Sequence, residues 1–280
     1  THLSLKNLDL GDALLSLSIR ELNHLTINNV TMCQDGYVML CNSISKCTEL
    51  THLSLKNLDL GDALLSLNIR ELNRLTINNV TMCQDGYVML CNSISKCSEL
   101  THWSLKNLDL GDALLSLNIR ELDQLTINNV TMCQDGYVML CNSISKCTEL
   151  THLSLKNLDL GDALLSLNIR ELDHLTINNV TMCQDGYVML CNSISKCTEL
   201  THLSLTNLDL GNAMPSLDNL KELELVNVTI SSQYVDSIRS SVQHLSSLCF
   251  LKSHTENLII EKAVDNCEKY VVKYARQTFH

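Results

Sequence analysis

The strongest constraint on this chain is an internal repeat of 50 residues. Residues 1–50, 51–100, 101–150 and 151–200 are almost identical copies of one another. A fixed period of this length is typical of a solenoid, in which each unit buries its apolar face against its neighbours. The apolar residues are mostly Leu, Ile and Val, with only 4% aromatic residues, which favours small stacked layers over one large core.

Two shorter units alternate within each copy. The anchor residues Leu50, Leu72 and Leu100 define a short repeat of 22 residues and a long repeat of 28 residues. Leu53 and Leu55 lie two positions apart, so in a strand they share one face. Each repeat is therefore predicted to contain a short strand whose alternate residues point into the apolar layer.

The long repeat has room for a helix after its strand. Leu90, Ile94 and Cys97 fall at near-helical spacing. We expect Asp85 in the first turn and Lys96 in the last turn, where both charges suit the helix dipole. The short repeat leaves space for little more than one helical turn.

The apolar pattern of these repeats is similar to a known family. One instance of the pattern runs Leu50-x-x-Leu53-x-Leu55-x-x-Leu58-x-Leu60. Together with the step Gly61-Asp62 and the helical long repeat, it resembles the ribonuclease-inhibitor-like class of leucine-rich repeats, found also in NACHT-type innate immune receptors. The resemblance covers roughly residues 1–250. It implies an α/β solenoid: a curved array with parallel strands on the concave side, helices on alternate repeats of the convex side, and a C-terminal helical cap.

One departure from the family pattern concerns the turn after each strand. The family usually has Asn or Cys where this chain has Leu58 and Val80. Here an Asn stands one residue earlier, at Asn57 and Asn79, and recurs in every repeat through Asn227. We expect this Asn to serve a tight turn that is held differently from the turn of the family.

The two ends of the chain differ. Residues 1–217 are near-identical repeats, and residues 218–280 are predicted to form a divergent last repeat and a C-terminal helical cap. The array opens at Thr1 without a capping element, so its first layer is expected to expose apolar surface. Self-association through this end is a further expectation.

The chain changes character after Leu200, and the only proline, Pro215, sits in a shortened repeat. The predicted elements are a strand at Leu220–Ile230, a helix at Gln233–His244, a partial strand at Leu248–Leu251 and an amphipathic helix. A capping box at Ser253-x-x-Glu256 precedes that last helix. Its apolar face contains Ile259, Ile260, Ala263, Val264, Cys267, Tyr270, Val271 and Tyr274.

Cysteines and glycosylation sequons point to different compartments. The fourteen cysteines fit neither a metal motif nor a disulfide framework. Equivalent cysteines lie two strands apart, about 10 Å, which is too far to bridge. Cys47 is interpreted as a small core residue.

Free buried thiols favour a reducing, cytoplasmic location. A secreted location is the alternative, because Asn29-Val30-Thr31 and its copies at 79, 129, 179 and 227 are sequons.

Charge and composition exclude several functional classes. A net charge of −11 argues against nucleic acid as a partner. No apolar run reaches the roughly 18 residues that a membrane span requires. Every His, Ser, Cys and Asp of the repeats occurs in several equivalent copies, without a distinct catalytic pocket. We therefore expect no enzyme activity and no cofactor.

The concave face is predicted to present a row of histidines. The third position of successive repeats gives His2, His24, His52, Arg74, His102, Gln124, His152, His174, His202 and Glu222. Neighbouring rings about 4.8 Å apart could form a pH-sensitive or metal-binding ladder. The alternative is a solvated polar row copied by duplication. No carboxylate is obviously placed to orient these rings, so no metal site is predicted.

Differences among the four copies suggest where a partner binds. Five columns vary, and two of them are adjacent on the predicted concave face: Asn23/Asn73/Asp123/Asp173 and His24/Arg74/Gln124/His174. Chance clustering of so few changes is the alternative. The predicted partner-binding residues are His24, His52, Arg74, Thr76, His102, Asp123, Gln124, His152, Asp173 and His174.

These observations lead to a functional hypothesis with three alternatives. The first hypothesis is a protein-interaction or ligand-recognition domain, the C-terminal sensing part of a larger cytoplasmic receptor, with a protein ligand on its concave face. The alternatives are an enzyme-inhibitor-type repeat protein, an F-box-type substrate-binding arm, and an engineered array without a natural ligand. The F-box alternative depends on Cys47-x-x-Leu50, where Thr48 replaces the proline of that family.

Overall fold

The computed structural model places most of the repeats. It describes residues 1–12, 21–63, 71–113, 122–165, 171–231, 233, 247–251 and 270–272. The chain forms two compact units, the N-terminal unit of residues 1–150 and the C-terminal unit of residues 151–280. The boundary of these units falls between two copies of the repeat. The sequence-based boundary at residue 217 stays a prediction.

The N-terminal unit is a parallel-strand solenoid. Its strands are β1 (His2–Asp9), β2 (His24–Thr31), β3 (His52–Asp59), β4 (Arg74–Thr81), β5 (His102–Asp109) and β6 (Gln124–Thr131). Its helices are α1 (Gln34–Ser45), α2 (Gln84–Ile94) and α3 (Gln134–Ile144). Each strand pairs in parallel with the next one along the chain. The helices follow β2, β4 and β6, which confirms the prediction of helices on alternate repeats.

The C-terminal unit continues the same plan. Its elements are β7 (His152–Asp159), β8 (His174–Thr181), α4 (Gln184–Ile194), β9 (His202–Gly211), β10 (Glu222–Ile230), β11 (Ser247–Leu251) and β12 (Tyr270–Val272). The paired strands are again parallel and follow chain order. Both units are therefore open α/β solenoids.

The predicted C-terminal elements are confirmed in part. The expected strands at Leu220–Ile230 and Leu248–Leu251 correspond to β10 and β11. The predicted terminal helix is wrong at Tyr270–Val272, because these residues form β12 and pair with β11. The β-branched pair Val271-Val272 and the aromatic Tyr270 suit an extended strand. The rest of that helix, and the predicted helix from residue 234 to 244, lie outside the described residues.

Alternate residues of each strand fill the core. In β3, Leu53 and Leu55 are buried, and Ser54 and Lys56 between them are partly exposed. After Asn57 the alternation shifts by one residue, so that Leu58 is buried as well. The strand residues thus separate a buried layer from an outward surface, which we call the strand face.

The shift is caused by an asparagine in the left-handed conformation. Asn57 has φ 51°. The same holds in every described strand from β1 to β10, with φ between 51° and 54° at Asn7, Asn29, Asn57, Asn79, Asn107, Asn129, Asn157, Asn179, Asn207 and Asn227. Asparagine tolerates this region better than most residues. A tight turn was predicted at this Asn, and the structure shows a left-handed residue that bends the chain inside the strand.

Within each unit, these asparagines form side-chain hydrogen bonds on the surface, either with one another or with the asparagine one position earlier in the neighbouring strand. Nδ2 of Asn79 donates to Oδ1 of Asn57 at 2.9 Å, and Nδ2 of Asn57 donates to Oδ1 of Asn28 at 2.9 Å. In the sequon Asn29-Val30-Thr31, Asn29 donates to Asn7 and Thr31 donates to Asp9. Both polar side chains of the sequon are therefore used by the fold.

A second turn follows each short-repeat strand and requires glycine. Gly61 has φ +52°, and a Cβ added there would collide with Oε1 of Gln34. The Gln34 side chain donates to the carbonyl of Leu60 at 3.1 Å, so the start of α1 is tied to the next short repeat. Asp59 accepts hydrogen bonds from the Gly61 amide and from the Thr81 hydroxyl.

The helices are joined to the strands by a tyrosine. In α2, Tyr87 is buried and its hydroxyl donates to the carbonyl of Val80 at 3.1 Å. Asp85 lies in the first turn, as predicted. The prediction for Lys96 is wrong: α2 ends at Ile94, and no basic residue lies in its last turn. The last turn of α1, α3 and α4 contains none either.

The cysteines of the described ranges are free thiols. Cys47 is fully buried, as predicted for a small core residue. Burial raises the pKa of the Cys41 thiol to about 12 and that of Cys97 to about 11. These thiols are therefore protonated at neutral pH and serve as packing groups.

The first strand is less covered than its equivalents. Leu8 is 38% exposed, whereas Leu58, its counterpart in β3, is 3% exposed. No helix in the described ranges is long and apolar enough to cross a membrane.

Trp103 provides a test of core packing. It stands where the other copies have Leu53 and Leu153, is 2% exposed, and its indole Nε1 has no hydrogen-bond partner. A buried unpaired donor costs about 1–3 kcal/mol, and overpacking adds to this cost. We expect Trp103→Leu to raise the free energy of unfolding by about 1 kcal/mol, although it removes some buried apolar surface. Urea unfolding measures this change, and a loss of stability would contradict the packing argument.

Candidate functional site: a histidine row on the strand face

The predicted row lies at the start of the strands. In the N-terminal unit, register pairs link His2, His24, His52, Arg74, His102 and Gln124 in order. In the C-terminal unit, they link His152, His174, His202 and Glu222. Every strand from β1 to β10 begins with its member of the row. The structure therefore brings the predicted residues of each unit side by side.

Neighbouring rings of the row are in contact. The ring centroids of His24 and His52 are 4.0 Å apart with an interplanar angle of 22°. Those of His2 and His24 are 5.8 Å apart in an edge arrangement. Burial lowers the pKa of His52, and the positive charges of His24, Arg74 and His102 lower it further. A neutral His52 ring can stack at this spacing without charge repulsion.

Threonines hold the rings at the edge of the sheet. The hydroxyl of Thr51 lies 2.8 Å from Nδ1 of His52, and the hydroxyl of Thr101 lies 2.9 Å from Nδ1 of His102. The amides of Thr101 and His102 both donate to the carbonyl of Asn73. The residue before each long-repeat strand is thereby fixed against the next strand.

A carboxylate joins the row in the C-terminal unit. Oδ2 of Asp173 lies 2.9 Å from Nδ1 of His174, and its Oδ1 lies 4.0 Å from Nδ1 of His202. On the other side, Oε1 of Glu222 lies 3.5 Å from Nε2 of His202. The expectation that no carboxylate is placed beside these rings is therefore wrong. Asp173 precedes β8 directly, and its side chain turns along the sheet edge toward β9.

The protonation states in this cluster follow from its contacts. The hydrogen bond donated by Thr201 lowers the pKa of Asp173. Burial lowers the pKa of His174, and the neighbouring His202 ring acts in the same direction. The Asp173 carboxylate raises that pKa but is outweighed. The favoured state at neutral pH is an ionised carboxylate beside a neutral imidazole.

The remaining predicted residues lie on the same outward surface. Thr76 points outward from β4 between the buried Leu75 and Ile77. Arg74 is exposed, and Asp123 lies 3.9 Å from Nε2 of His102. The positions that differ between copies, 73 with 74 and 123 with 124, are thus on the strand face of the N-terminal unit.

Sequence reasoning missed part of the C-terminal cluster. His202 and Glu222 were placed in the row but not among the predicted partner-binding residues. In the structure they line a shallow cavity of about 280 Å³ with His174, Ser204 and Glu224. Ser204 donates to Oε2 of Glu224 at 2.6 Å. The signal was the replacement of a third-position histidine by an acidic residue in the last clear repeat.

Comparison with models of known protein families gives no match, and comparison with the curated proteins gives none either.

The lowered pKa of His52 makes a testable prediction about pH. The folded state binds this proton less readily than the unfolded chain does, so stability is lost as pH falls through the ordinary histidine pKa of about 6.5. Arg74→Gln, which introduces the residue of the third copy, removes a neighbouring positive charge. We expect it to raise the pKa of His52 toward its ordinary value, measured by NMR titration of the ring.

The control is Lys96→Gln, which removes a charge from an exposed position after α2. It is expected to leave the pKa of His52 unchanged. A pKa of His52 at or above the ordinary value in the natural chain would contradict the prediction.

Proposed function

We propose that this chain is a protein-binding repeat domain that recognises its partner through the strand face. The observation that carries the proposal is the position of the variable residues. The four copies keep the same buried residues and turn asparagines, with Trp103 as the exception in the core. Two of the five columns in which they differ are the adjacent outward positions 23 and 24 and their equivalents. A frame that is kept while neighbouring surface positions change is typical of a diversified binding surface.

The chemistry of the strand face supports a polar recognition mode. The outward side chains beside the row are Ser54 and Lys56 on β3 and Thr76 and Asn78 on β4. Such side chains offer hydrogen bonds and charge, without the aromatic anchors that dominate many interfaces. Specificity in the N-terminal unit would then depend on the Arg74 guanidinium, whose planar group makes directed contacts with carboxylates.

The larger biological setting is part of the same proposal. The leucine-rich-repeat pattern resembles that of NACHT-type innate immune receptors, so we propose a role as the sensing part of such a receptor. The free buried thiols of the repeats favour a reducing, cytoplasmic location. The use of both sequon side chains in hydrogen bonds supports a structural role for these asparagines.

Site-specific photo-crosslinking in cells that express the chain tests this proposal. A photoreactive residue is placed at Thr76 on the strand face or at Asn92, an exposed residue of α2 in the same repeat. We expect a discrete protein product from position 76 and not from position 92. Arg74→His, which restores the residue of the first copy, should lower the yield at position 76 about tenfold, equivalent to 1.4 kcal/mol.

Two results would contradict the proposal. One is the same set of crosslinked proteins from both positions, and the other is a discrete product from position 92 alone. If Arg74→His leaves the crosslinking yield at position 76 unchanged, the variable residue at position 74 has no role in partner binding.

A further inference from the structure

We propose that Asp173, His174 and His202 form a binding site for a divalent transition-metal ion, with Zn²⁺ as the preferred ion. One donor atom of each residue lies within 4.8 Å of the other two. In the described part of the chain, this is the single group of three metal-ligating side chains gathered so closely. One carboxylate and two imidazoles are a ligand set that suits zinc, with a fourth position open to water.

The backbone holds the three ligands in a fixed relation. His174 and His202 are register partners at the start of β8 and β9. The amides of Thr201 and His202 donate to the carbonyl of Asp173 at 3.1 and 3.0 Å. The Asp173 main chain is therefore anchored to the strand that carries the second imidazole.

The side chains must reorient to bind an ion. Ligand atoms around zinc lie about 3.3 Å apart, because each is about 2.0–2.2 Å from the metal. The rings of His174 and His202 are stacked with centroids 4.0 Å apart, and both Nδ1 atoms lie near the Asp173 carboxylate. The rings must tilt out of the parallel stack, and all three side chains have the freedom to do so because they are 34–40% exposed.

The electrostatics of the cluster favour a cation. Asp173 and Glu222 place carboxylates on two sides of His202. The fourth copy also lacks the guanidinium of Arg74, because His174 occupies the equivalent position.

The other copies supply internal controls. The first copy has the stacked pair His24 and His52 but Asn23 in place of the carboxylate. The second copy has Asn73 and Arg74 before His102. An amide oxygen is a weaker zinc ligand than a carboxylate, so neither copy is expected to bind the ion as the fourth does.

The test is calorimetric titration of the full chain with Zn²⁺, together with Co²⁺ absorption spectra. We expect one site in the natural chain. Asp173→Asn, which installs the residue of the first two copies, should weaken it at least about tenfold. The double substitution Asn73→Asp with Arg74→His should add a second site, because Thr101 and His102 bond to residue 73 as Thr201 and His202 bond to residue 173.

Four results would overturn the proposal. These are the absence of zinc binding, unchanged affinity in Asp173→Asn, no second site in the double variant, and a thiolate-to-cobalt band in the near ultraviolet. The last result would place the ion on partly exposed cysteines such as Cys183 instead. Circular dichroism checks that each variant folds, and if Asp173→Asn does not fold, the double variant decides alone.

Discussion

The left-handed asparagine within each strand from β1 to β10 is the constraint on which the repeat depends. In a regular strand, every second side chain faces the core, so Asn57 would point inward after Leu53 and Leu55. Its positive φ turns the chain, exposes its amide and brings Leu58 back into the buried layer. The equivalent residues of β1 to β10 do the same, and within each unit neighbouring turns are linked by asparagine side-chain hydrogen bonds on the surface.

This turn connects the frame to the surface that we propose to be functional. The carbonyl of Val80, next to the turn at Asn79, accepts the hydroxyl of Tyr87 and so fixes the helix behind the strand. The opposite end of the strand carries the variable column at positions 73 and 74. Changes there leave the turn and the core untouched, so the copies can differ in ligand chemistry while they share one fold. The metal site of the fourth copy would be one outcome of this freedom.

Much of the fold could be predicted from the sequence, because the period and the alternation of Leu53 and Leu55 depend on local geometry. The Asn turn could also be predicted, since asparagine recurs one residue before the family position. Lys96 was predicted in the last turn of α2, but the helix ends at Ile94. Capping contacts set the end of a helix, and the spacing of apolar residues does not reveal them. The Asp173 carboxylate was missed because its neighbour His202 is 29 residues away, and only the strand register brings them together. Tyr270–Val272 shows the same limit: its apolar pattern fits a helix, and pairing with β11 makes it a strand.

The difference in stability between two variants at residue 57 tests the central role of the turn. Asn57→Ala and Asn57→Gly both remove the asparagine side-chain hydrogen bonds, so they differ only in the backbone that they prefer. If residue 57 is left-handed, the alanine variant is less stable than the glycine variant by about 1 kcal/mol, because alanine resists positive φ. In an ordinary extended strand, the glycine variant would be the less stable one by about 0.5–1 kcal/mol. Urea unfolding of the two variants is the measurement: a more stable glycine variant is the result we predict, and a more stable alanine variant would contradict the account.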